Sequence, residues 1–142
     1  MPLSGAQEDP TVITAARGFA VLRIVGATVQ YNVRYWDLES DIEQAHIHIG
    51  ARDTTGGVAA FLCSDLAGPP PGTAPCPPSP GRLVGVIDAA DVIGPTVQGV
   101  APGEIADLQQ AIRSGLAYVN IHTVVSPAGE IRGDTHRHFW PY

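Results

Sequence analysis

The chain of 142 residues has little charge, and what it has is unbalanced: charged side chains make up 15%, with eight Lys and Arg against fourteen Asp and Glu. The formal charge of −6 repels a phosphate backbone or an anionic membrane on average, and no run of basic residues offsets it, so nucleic acid is not an expected partner. No stretch of about 18 apolar residues occurs, which excludes a helical membrane span. The first residues, Met1-Pro2-Leu3-Ser4-Gly5, lack the basic and apolar regions of a signal peptide. No Gly-x-Ser-x-Gly elbow is present, and Ser64, Ser114 and Ser126 have no base beside them, which leaves acyl-transfer hydrolysis without support. The glycines fall in turns instead of forming a phosphate loop between a strand and a helix, so nucleotide cofactors find no cradle.

Cysteine is equally scarce. Twelve residues lie between Cys63 and Cys76, and the segment from Leu66 to Gly81 carries seven of the thirteen prolines. Proline cannot donate to a sheet ladder, so this segment reads as a long surface loop. A disulfide closing it would contribute roughly 3 kcal/mol through the entropy removed from the unfolded chain. Such a bridge places folding in an oxidising compartment, secreted or periplasmic, with a signal peptide expected to have been removed.

Sixteen glycines and thirteen prolines, with 44% apolar residues, suit one all-β domain of many short strands. Period-two alternation marks strands at Thr14 to Val25, Thr28 to Trp36, Gln44 to Ile49, Val58 to Cys63, Arg82 to Ala89, Ala117 to Thr123 and Glu130 to Thr135. One segment, Pro102 to Ser114, changes to helical spacing at Ile105, Leu108 and Ile112, with Gly115 as its stop. The expected fold is an antiparallel Greek-key sandwich or flattened barrel of about seven or eight strands with one short crossover helix.

Chemistry concentrates on the polar faces of three of these strands. His46 and His48 share a face of one strand, ~7 Å apart at Cα. Asn120 and His122 share a face of another, and Glu130, Arg132 and Asp134 a face of the third. If the strands are neighbours, His46, His48 and His122 can converge on one ion. Neutral imidazole suits copper, or zinc as the alternative, and three ligands leave a position open. Asn120 or Glu130 would hold the outer ring nitrogens, with Arg132 beside them. A solvated face with cross-strand pairs of Glu130 and Arg132 is the competing reading. His136 and His138, in the last seven residues, are candidates to add ligands.

Four segments in order resemble the CHRD domain, named for chordin: Leu3-Ser4-Gly5-Ala6-Gln7-Glu8, Ala45 to Gly50, Tyr118 to Thr123 and Gly129 to Gly133. The resemblance covers residues 3–135 and leaves 136–142 as a C-terminal tail. It implies an extracellular or periplasmic β-rich module, with His46, His48, Asn120, His122, Glu130 and Arg132 as signature positions. Within it, three functions stay open. The first is a copper-binding module; the second is a copper enzyme similar to superoxide dismutase, whose His-x-His strand Ala45-His46-Ile47-His48 resembles. The third is a non-metal module that contacts an extracellular protein through the proline-rich loop and the Phe139-Trp140-Pro141-Tyr142 tail. A homodimer is compatible with all three.

Overall fold

A computed structural model describes residues 1–135, so His136, His138 and the aromatic tail lie outside the described residues. The strands are β1 (Pro2–Ser4), β2 (Arg17–Val25), β3 (Thr28–Trp36), β4 (Ile42–Ile49), β5 (Val58–Ser64), β6 (Gly81–Ile87), β7 (Ala117–Thr123) and β8 (Ile131–Asp134), with one helix, α1 (Ile105–Arg113), between β6 and β7. They form a single antiparallel sheet in the order β5-β4-β7-β8-β1-β2-β3-β6. Its two edges, β5 and β6, come side by side without a ladder, so the sheet curls into a nearly closed barrel. Of the two architectures expected, this is the barrel.

Seven strands were legible as alternating runs; the eighth, β1, was not, because three residues carry no periodicity. Its formation follows from pairing on both sides, with β2 at Leu3↔Gly18 and with β8 at Ser4↔Arg132. The strand expected from Thr14 begins at Arg17, and the helix is shorter than Pro102 to Ser114 because Pro102 and Gly103 form a turn ahead of it.

The core follows the alternation. Ala20, Val29, Val33, Leu83 and Ile87 from one side of the barrel meet Ala45, Ile47, Val119, Ile121 and Ile131 from the other. Helix α1 adds Leu108 and Ala111 to this core, and Gln109 Nε2 ties it to the β2–β3 turn by donating to the carbonyls of Gly26 and Thr28. Cys63 and Cys76 are joined, anchoring the proline-rich loop to the end of β5.

β4, β7 and β8 break the pattern of one buried face and one solvated face. Both of their faces are buried. The apolar face turns into the barrel, and the polar face lies under the 3-10 turn Gly5–Gln7, Glu8 and the loop 50–57. A solvated polar surface is therefore not what these strands present.

Candidate metal centre

β4 and β7 are adjacent in the sheet, with His46 opposite Asn120, His48 opposite Tyr118 and Gln44 opposite His122. His46 and His122 are thus diagonal neighbours across the ladder, and His46 and His48 are two residues apart on one strand, so one patch receives three imidazoles. The pairing of β4 with β5 shifts register between Ala45 and His46 and again between Ile47 and His48. Such irregularities bend a strand and re-aim its side chains, here at both histidines.

Each ring contributes one nitrogen to a group whose members lie within 4.8 Å of one another. His46 and His48 are buried and His122 is partly exposed. His46 Nδ1 stands 3.0 Å from His122 Nε2. His48 Nδ1 lies 3.0 Å from the Gly56 carbonyl and His122 Nδ1 2.8 Å from the Pro127 carbonyl.

These contacts assign the tautomers. A carbonyl only accepts, so Nδ1 of His48 and of His122 must carry the proton, and Nε2 of each is a lone pair. His46 then donates from Nδ1 to His122, which leaves His46 Nε2 a lone pair too. Neither His46 Nε2 nor His48 Nε2 has a hydrogen-bond partner, although both are buried. An unsatisfied buried acceptor costs about 1–3 kcal/mol, so two on neighbouring rings are unusual in a native fold.

Burial keeps the rings neutral. It pushes His46 down to about 3, with the His122 and His48 rings adding to the effect. It pushes His48 down to about 4 against the opposing pull of the Gly56 carbonyl, and it lowers His122 as well. A neutral imidazole is the form that binds metal.

The surroundings are largely polar. His46 packs edge-on against Phe61, with ring centroids 4.4 Å apart. Asn120 donates to Glu8 Oε1. Burial raises the Glu8 carboxyl to about 8, against the pull of Arg132 and of the Asn120 bond. Gly129, at φ +123°, is required here, because a Cβ would come within 3 Å of both Asn120 Nδ2 and the Glu8 carboxylate. Arg132 is buried and held on three sides: its Nε and Nη2 donate to Asp134 Oδ1 at 3.0 and 2.7 Å, Nη2 also donates to the Ala51 carbonyl, and Nη1 donates to the Thr54 carbonyl.

The expected signature residues therefore divide. His46, His48 and His122 converge; Asn120 and Arg132 lie beside them. Glu130 does something else: it accepts from Thr14 Oγ1 at 2.8 Å, Thr123 Oγ1 at 3.0 Å and the Glu39 amide at 3.2 Å, which fastens two loops to β7. The outer ring nitrogens expected to bond Asn120 or Glu130 are held by the carbonyls of Gly56 and Pro127 instead. Sequence reasoning passed over Glu8, Tyr118 and the Gly56 carbonyl. Glu8 had a signal, since it closes the first CHRD-like segment; a backbone carbonyl has none.

A family model for the CHRD domain matches residues 1–135, every residue that forms the barrel and its histidine patch. The chain belongs to the CHRD domain family. No curated protein and no solved structure matches it. CHRD domains are extracellular, which agrees with the disulfide of this member. In this CHRD domain the family-like segments Leu3 to Glu8, Ala45 to Gly50, Tyr118 to Thr123 and Gly129 to Gly133 are the pieces that build one buried polar cluster. Among the described residues no helix is long and apolar enough to cross a membrane.

Proposed function

We propose that this CHRD domain is an extracytoplasmic metal-binding module that holds one ion through His46, His48 and His122. The observation that carries the reading is the pair of buried, partnerless lone pairs at His46 Nε2 and His48 Nε2. A purely architectural cluster would be expected to give each of them a donor, as the rest of the polar patch has. The donor set is three neutral imidazoles with no carboxylate or thiolate among them, and the His46–His122 hydrogen bond gives way when His122 Nε2 turns its lone pair to the ion. Nitrogen sites bind copper(II) more tightly than zinc, so copper is favoured, with zinc second. Two of the rings already have Nδ1 fixed by carbonyls, the outer-shell arrangement that orients metal-binding histidines. The partly exposed His122 edge is the side from which an ion enters.

The test is metal stoichiometry by elemental analysis and calorimetry on protein stripped with chelator and reloaded. Wild type takes one equivalent of copper, and the His46→Ala/His48→Ala double variant takes none. An unchanged stoichiometry in the variant, with the fold intact by circular dichroism, removes the proposal.

A further inference from the structure

On the far part of the sheet, β2, β3 and β6 turn their second face outward, and its composition is unlike the rest of the chain. Its residues are Arg17, Phe19, Val21, Arg23 and Val25 from β2, Gln30, Asn32, Arg34 and Trp36 from β3, and Arg82, Val84 and Val86 from β6. The chain has fourteen carboxylates, yet none falls in these three strands, while four of its eight arginines do. Arg132–Asp134 is the one ion pair among the described residues, so none of these four is neutralised. Arg34 sits directly opposite Arg82 in the ladder, a like-charge pairing that destabilises a sheet. Between the cations the face is apolar: Val84 is 63% exposed, Phe19 48% and Trp36 41%. Two shallow depressions of about 350 and 510 Å³ share Val21 and Asn32 and run together across it.

We infer that this face is a docking surface for a partner protein segment in which carboxylates alternate with apolar side chains. Charge complementarity sets the sign, since arginine forks pair with carboxylates and gain most where apolar neighbours exclude water. Branched aliphatic side chains set the class. Val21, Val84 and Val86 offer nothing to the hydroxyls of a sulfated sugar chain but pack well against the side chains of a peptide. A second copy placed face to face about a two-fold axis would bring arginine against arginine. The inference uses none of the histidines and stands apart from the metal reading.

The probe is a ten-residue peptide of Glu alternating with Val and Phe, titrated into ¹⁵N-labelled full-length protein, alongside a counterpart with Gln for every Glu. The expected result is amide shifts confined to β2, β3 and β6, with affinity at least tenfold weaker in an Arg34→Gln/Arg82→Gln variant and for the Gln peptide. Removing the opposed charges should also leave that variant at least as thermally stable as wild type. The inference is overturned by no binding at millimolar peptide, by equal binding of the Gln peptide, or by shifts on another surface. It is equally overturned by tighter binding of heparin oligosaccharide or anionic phosphatidylserine vesicles, by a dimer that the variant abolishes, or by a variant of lower melting temperature, which would make the arginines structural.

Discussion

His48 and Tyr118 stack face to face, with ring centroids 4.6 Å apart and planes 3° from parallel. Arg132 lies over the same tyrosine, its guanidinium carbon 3.4 Å from the ring centroid. β7 runs between β4 and β8, so Tyr118 is held between the imidazole of one neighbouring strand and the cation of the other. The Gly56 amide closes the arrangement by donating to the Tyr118 hydroxyl at 3.0 Å, while its carbonyl accepts from His48. Gly56 can be nothing larger, because a Cβ there would run into the Ile49 carbonyl.

Replacing Tyr118 with Phe keeps the stack and removes the acceptor for the Gly56 amide. Stability should fall by about 1–2 kcal/mol, the cost of one lost hydrogen bond with a polar group left partly buried. Urea denaturation of the chelated protein measures it, and a change within error would mean that Gly56 is held by other contacts.

Arg132→Ala is expected to be far more damaging. It leaves Asp134 as a buried unpaired carboxylate and strips donors from Ala51 and Thr54, a loss of about 3–5 kcal/mol. The same denaturation experiment reads it, and a cost near that of a surface substitution would count against the buried network.

The metal-free protein should show a stability maximum near pH 6.5. His46 and His48 have folded values depressed from 6.5 to about 3 and 4, so the unfolded chain takes up more protons below pH 6.5 and stability falls on acidification. Glu8 has the opposite sign: raised from 4.5 to about 8, it contributes stability below 4.5 that is lost as pH rises through 8. From 6.5 to 4.5 His46 and His48 outweigh Glu8 by one proton, giving a loss of roughly 1.4 kcal/mol per pH unit, to which the lowered His122 adds and which steepens below 4.5; from 6.5 to 8 Glu8 reverses the slope, opposed by the lowered Met1 amine. Chemical denaturation at a series of pH values checks this profile. A Glu8→Gln variant should flatten the alkaline limb and steepen the fall between pH 6.5 and 4.5.

Reducing the disulfide, or replacing Cys63 and Cys76 with Ala, should cost about 3 kcal/mol for a closed loop with a sequence separation of 13. The loss belongs to the unfolded chain, so the barrel spectrum should persist while the melting temperature drops. Calorimetry with and without reductant decides it.

Much of the candidate site was legible because period-two alternation is local. It put His46 with His48 and Asn120 with His122, and adjacency of β4 and β7 then sufficed to bring three imidazoles together. The burial of that face was not legible. Alternation separates two faces of a strand but does not say what will cover them, and here the covers are the turn at Gly5–Gln7 with Glu8 and the loop 50–57. Glu130 was placed with the histidines for the same reason. It shares their polar character, yet its partners are Thr14, Thr123 and the Glu39 amide, from segments that alternation cannot locate.

By itself the sequence determined an all-β domain, the pairing of its two cysteines as a closed loop, and a histidine face, because each rests on spacing within a short run; the CHRD resemblance rests on four such runs in order. Tertiary structure alone decided the rest. The long-range pairings of the fold bring the Gly56 and Pro127 carbonyls to the rings, bury the lone pairs they fix, and gather Arg17, Arg23, Arg34 and Arg82 on one carboxylate-free face. Those four arginines are strewn over β2, β3 and β6, and no local pattern joins them; the sheet does, because strands distant in sequence become neighbours when their ladders close.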